Sequence, residues 1–129
     1  MKTMLAIALG GALGALGRYG VTSWAAHAFG RAFPYGTLAV NVIGSLVLGF
    51  LLVVLNERSG LPAELRGLLL VGFLGAFTTF STFSMDTVQL LQEGAALRAG
   101  ANVFLNVSLC VGAAWLGYAG ARHIFVNGM

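Results

Sequence analysis

The sequence predicts an all-α integral membrane protein, a single domain over residues 1–129 crossing the bilayer four times. Three observations predict it. Counting Gly in place of Tyr, roughly 70% of the chain is apolar, where soluble domains run at about 45–50%. Seven Lys+Arg and four Asp+Glu are too few to clothe a soluble surface, and a chain this short cannot hide so much apolar area from water. Disorder needs low hydrophobicity, which is absent. The apolar residues fall into four runs of spanning length, and the alternating ten-residue strands of a closed barrel do not occur.

The first run extends from Thr3 to about Ala28 and is interrupted by Arg18. Its start, Met1-Lys2 followed by Met4 to Leu9, has the outline of a secretory signal. Cleavage would leave no polar mature domain, so it is read as an uncleaved first span. The second run, Thr37 to Leu55, has no charge. The third runs from about Leu65 to Leu91 with Asp86 near its far end, and the fourth from about Ala99 to Ala121. The connections Gly30–Gly36, Asn56–Pro62 and Glu93–Arg98 carry turn residues and are short.

Lys2, Arg58, Arg66 and Arg122 fall on one side of such a bundle and Arg31 and Arg98 on the other. Four against two is a weak orientation signal, compatible with one fixed topology and with insertion both ways. The basic residues are scattered, without the patch of a nucleic-acid binder. Cys110 is alone, so no disulfide framework forms within one chain.

Gly10 and Gly14 form a GxxxG pair continued by Gly11 and Ala15, and Ala113, Gly117 and Ala121 repeat the spacing. Small faces let helix backbones approach in lipid. Four helices surround little of a pathway, so oligomerisation is expected.

The chemistry is concentrated in Gly72-Phe73-Leu74-Gly75-Ala76-Phe77-Thr78-Thr79-Phe80-Ser81-Thr82-Phe83-Ser84, in the middle of the third span. Polar side chains at that depth are expensive and face protein. Glycines followed by β-branched threonines weaken a helix, and a break there survives only where protein, ion or water pairs the freed backbone. Freed carbonyls are hard oxygen ligands suited to a cation such as Na⁺. A continuous helix whose Ser and Thr bond back one turn is an equal reading on composition. Phe80 and Phe83 lie three apart on one face, with Ser81, Thr82 and Ser84 beside them. Ring edges are positive and attract an anion without trapping it; lipid-facing packing is the commoner use of such a pair.

Asn41 stands inside the apolar second span, able to donate to an anion or to accept from a neighbouring helix. Arg18, midway along the first span, must snorkel, pair or line water. Asn102 and Asn106 share a face of the fourth span, with Ser108 nearby, and read equally as interhelical glue or pore lining. His27 and His123 sit near span ends. No nucleophile–base pair, HExxH or phosphate-cradling motif suggests an enzyme.

Gly10 to Tyr19, Gly36 to Gly44 and Gly72 to Ser84 together resemble the signatures of the Fluc (CrcB) fluoride channels, in the family's order over nearly the whole chain. The resemblance implies an antiparallel, dual-topology homodimer in the inner (cytoplasmic) membrane, with the third helix broken near its middle. It implies two fluoride pathways and passive fluoride export that protects the cell. It also implies a structural Na⁺ at the dimer centre, held by backbone carbonyls that fall on Gly75 and Thr78. The pore phenylalanines fall on Phe80 and Phe83, the pore asparagine on Asn41, the vestibule arginine on Arg18, and hydroxyl positions on Ser81 and Thr82.

Two other classes compete. A small multidrug-type proton-coupled exporter also has four spans but needs a carboxylate deep in the first, where this chain has Arg18 and no acid. A non-transporting assembly subunit explains the glycine faces but not the polar third span.

Overall fold

The computed structural model describes residues 1–128, and the described residues include four helical stretches long and apolar enough to cross a membrane. Helix α1 is Lys2–Phe29 and α2 is Tyr35–Glu57. The third span is assembled from α3 (Ala63–Arg66), a π-helical segment Gly67–Leu74, α4 (Gly75–Phe77) and α5 (Phe80–Gln92). Helix α6, Ala96–Phe125, is the fourth span.

Each span outruns the apolar stretch that announces it, because intrahelical hydrogen bonding continues into the interface where polar side chains are tolerated. Lys2, Glu57, Arg98 and Arg122 are all helical and exposed. The spans stop at turn chemistry. Gly94 has φ +75°, a left-handed conformation that glycine adopts without steric cost, and behind it Ala95 N–H returns to the Leu90 carbonyl at 2.8 Å. Pro34 precedes α2 and Pro62 precedes α3, where a missing N–H costs nothing. Arg66 ties two spans together at one end, donating to Asn56 Oδ1 at 3.0 Å and to the Leu55 carbonyl.

The small residues decide which helices touch. Gly10 and Gly14 are buried against the third span: a Cβ on Gly10 would stand 2.9 Å from Phe73 N, and one on Gly14 2.9 Å from Phe77 N. From the other side, a Cβ on Gly72 would meet the Ile7 carbonyl at 2.5 Å. The second repeat pairs α6 with α2, since a Cβ on Gly117 would stand 3.0 Å from Phe50 N, and one on Gly49 3.1 Å from Tyr118 N. Both glycine faces are therefore used inside the subunit. Close backbone approach supplies the dispersion contacts that replace a hydrophobic drive in lipid. The core between the two pairs is thin, with Val40 and Ala121 fully enclosed, while Phe104, Val111, Trp115 and Leu116 look outward. Trp24, Phe29, Phe33 and Tyr35 cluster at one end with ring centroids 5.0–5.7 Å apart, an aromatic girdle at the membrane boundary.

The third span is not one regular helix. Thr78 (φ −114°, ψ 125°) and Thr79 (φ −136°, ψ 110°) are extended between α4 and α5. No backbone hydrogen bond joins Gly75–Phe77 to Phe80–Gln92 among the described residues.

Candidate functional site

The two extended threonines are held by side chains. Thr79 Oγ1 accepts from Thr82 N–H at 3.2 Å, capping the new N-terminus of α5. The same hydroxyl lies 3.0 Å from Thr82 Oγ1 and 3.2 Å from Ser81 Oγ, so three hydroxyls meet at the start of the helix. Thr78 Oγ1 donates back to the Leu74 carbonyl at 3.0 Å. Asn41, arriving from α2, accepts from Thr79 N–H at 2.7 Å and donates to the Thr79 carbonyl at 3.3 Å. Asn41 Oδ1 thus takes the place of the helical acceptor that Thr79 N–H has lost, while the Thr79 carbonyl accepts from Phe83 N–H at 3.5 Å as well as from Asn41. Its second N–H goes to Asn106 Oδ1 at 3.3 Å, so both amide hydrogens of Asn41 are used within the chain. Gly44, one turn on along α2, leaves room for the Thr78 methyl against the helix backbone.

A groove of about 330 Å³ opens beside this clamp, lined by Asn41, Ser45, Thr78, Phe80, Phe83 and Cys110 among others. Phe83 is buried at 9% exposure, whereas Phe80 is 79% exposed on the outer face of the subunit. Their ring centroids are 5.4 Å apart and tilted by 59°, which presents an edge of one ring beside the other. Ser81 and Thr82 are exposed next to them. A surface with hydroxyls, ring edges and an interrupted backbone at membrane depth is unlike the aliphatic faces around it.

The structure brings together Asn41, Thr78, Phe80 and Phe83 at the groove, with Ser81 and Thr82 joined to it through Thr79. Gly75 lines a smaller adjoining cavity of about 120 Å³ with Thr78, Gly44 and Ser45. Arg18 stands apart on α1, half-buried, and does not line the groove. Asn102 and Asn106 are buried and hydrogen-bonded across helices, Asn102 Nδ2 donating to Thr87 Oγ1 at 3.0 Å, and Asn106 also lines the groove. Ser108 bonds the Phe104 carbonyl on an exposed face. Asp86 borders a separate cavity of about 260 Å³ with Thr22, Arg31, Thr37 and Gln89. Sequence reasoning did not single out Ser45 or Cys110. The available signal was helical spacing, because Ser45 is four residues after Asn41 and Cys110 four after Asn106.

No group of three His, Cys, Asp or Glu side chains able to hold a metal occurs among the described residues. A cation at this site would rely on backbone oxygens. The interrupted backbone between Gly75 and Thr79 is the stretch whose carbonyls are freed from the regular helix ladder.

The family model described as CrcB-like protein, Camphor Resistance (CrcB), matches residues 5–118. A protein named fluoride-specific ion channel FluC in Methylococcus capsulatus is 52% identical over 125 residues, 97% of this chain; the chain spans 55% of that relative's length. The FluC of Syntrophotalea carbinolica is 52% identical over 92% of this chain and 96% of its own. That of Geobacter metallireducens is 47% identical over 96% of this chain and 100% of its own.

Proposed function

The chain belongs to the CrcB-like family, and from that premise we propose that it is a fluoride-specific ion channel, as its relatives are named. Such a protein is a conduit and not an enzyme. The observation that carries the reading is the Phe80–Phe83 pair, held 5.4 Å apart over a groove that starts at the interrupted third span.

Fluoride is small and strongly hydrated, so a pathway must replace its water with donors that bind weakly enough to let it leave. Along the groove those donors are the positive edges of Phe80 and Phe83, and the exposed Ser81 and Thr82 hydroxyls, joined to the groove through Thr79, continue the line outside it. Asn41 shapes the groove wall and fixes the backbone from which both rings project. Arg18 lies outside the groove, half-buried on α1, and its part in the pathway is that of a positive charge in the vestibule. Flow is passive, down the fluoride gradient, out of a cell that acquires fluoride in acid surroundings.

The exposed Phe80, Ser81 and Thr82 call for a cover other than lipid. A second copy in antiparallel orientation supplies it, and the weak charge asymmetry of the loops permits both orientations in the inner membrane. A structural Na⁺ fits the same face. Gly75 is exposed and Thr78 half-exposed, and their carbonyl oxygens are hard donors. Two carbonyls from each of two chains would hold the ion, and its charge would offset their missing backbone bonds.

The test is fluoride efflux from liposomes carrying the purified protein, followed with an electrode, with chloride and an imposed proton gradient as controls. Fluoride efflux indifferent to the proton gradient and absent for chloride supports the channel. Proton-driven export would favour the multidrug-type exporter, and no flux would favour an assembly subunit.

A further inference from the structure

Two enclosed amides of α6 have no role yet in the channel reading, although Asn106 borders the groove: Asn102 is 0% and Asn106 6% exposed. Their orientations are forced from a distance. Thr79 N–H can only donate, so Asn41 must turn Oδ1 toward it. Asn41 Nδ2 then faces Asn106, which must accept through Oδ1 at 3.3 Å. Asn106 Nδ2 is left to donate to Asn102 Oδ1 at 3.0 Å and to the Asn102 carbonyl at 2.9 Å. Asn102 Nδ2 donates to Thr87 Oγ1 at 3.0 Å, and the Thr87 hydroxyl donates to the Phe83 carbonyl at 2.9 Å. One backbone N–H therefore sets the polarity of three carboxamides and a hydroxyl, aligned head to tail. Aligned bonds in a low-dielectric interior strengthen one another, and a half-satisfied network is costly.

The path begins at Thr79 and returns to Phe83. It spans the first turn of α5, the turn that carries both rings of the groove. We propose that Asn102 and Asn106 are positioning residues. Acting through Asn41 at one end and Thr87 at the other, they hold the Thr79–Phe83 turn in a single orientation and so aim the Phe80–Phe83 pair. The consequence for fluoride passage rests on the channel reading; the positioning itself does not.

The test uses ¹⁵N-labelled full-length protein in lipid nanodiscs, with the Thr79 amide proton as the reporter. Asn106→Leu removes the middle of the path, and Thr87→Val removes its far end while leaving all three carboxamides in place. Neither replaced side chain touches Thr79 among the hydrogen bonds of this site. In both variants the Thr79 amide proton is expected to move upfield, while the Gly10 and Gly117 amides in the two glycine contacts stay in place. Ser108→Ala, outside the path, should leave Thr79 unmoved. In liposomes, fluoride flux per folded Thr87→Val protein should fall by about tenfold, a barrier change near 1.4 kcal/mol. A Thr79 amide unmoved in Thr87→Val overturns the proposal, whether or not the protein passes fluoride, and so does unchanged flux in a variant whose Thr79 amide has moved. A moved amide in a protein that passes no fluoride even as wild type leaves the positioning standing and removes the channel reading.

Discussion

Asn41 and Thr79 pair through two hydrogen bonds, the Thr79 N–H donating to Asn41 Oδ1 at 2.7 Å and Asn41 Nδ2 donating to the Thr79 carbonyl at 3.3 Å. An α2 side chain thereby completes the backbone of the third span at the point where it leaves the helix. The interruption and the groove both depend on this pair.

Asn41→Leu keeps the side-chain volume and removes both bonds. The Thr79 N–H is left unpaired in a dry setting, a loss of about 1–3 kcal/mol for a buried unpaired group, while the Thr79 carbonyl keeps the Phe83 N–H at 3.5 Å. The thermal midpoint of the detergent-solubilised protein should fall, and hydrogen exchange over residues 78–83 should rise. Unchanged exchange there would mean that the clamp is dispensable.

Gly14→Val should be far more damaging than its size suggests. A Cβ there already approaches Phe77 N to 2.9 Å, and the obstacle is backbone, which cannot step aside. Overpacking of this kind costs about 1–3 kcal/mol or more. Gly112→Ala is the matched control, since a Cβ at Gly112 meets nothing within 4 Å. Folded yield by size-exclusion chromatography should drop for the first and hold for the second.

Thr78→Pro and Gly75→Val act on the exposed face of the interruption. Thr78 has φ −114°, away from the roughly −65° that proline imposes, and Val at Gly75 adds bulk to an exposed position where a Cβ meets only the Leu70 carbonyl at 3.8 Å, so its effect falls on whatever covers that face. Both variants should lose dimer in cross-linking assays and lose any stabilisation of the wild type by Na⁺ over K⁺. Dimer retention with intact Na⁺ dependence would remove the carbonyl site.

The four spans were legible because apolar runs of that length with so few charges have few other uses, and their polar ends were not, because helix continues past the point where hydropathy stops. The motif from Gly72 to Ser84 stood out as hydroxyls at a depth where lipid offers no partner. Gly10 and Gly14 could be recognised as a contact face, but their partner could not. Nothing in their spacing distinguishes the third span of the same chain from another subunit, and the structure turns them inward. Asn102 and Asn106 could be placed on one face, yet their pairing with Thr87 and Asn41 joins residues from three spans and exists only after packing. The π-helical winding of Gly67–Leu74 left no mark in the sequence, since its composition suits an α-helix equally well.

The most direct measurement is fluoride efflux from liposomes bearing wild type or Phe80→Ile, compared per folded protein. Phe80 is 79% exposed in the subunit, so the substitution leaves its core intact and removes only the ring that borders the groove. Robust fluoride efflux from wild type and a fall of at least about tenfold in the variant, equivalent to roughly 1.4 kcal/mol on the barrier, is the expected outcome. Equal efflux from the two proteins would contradict it.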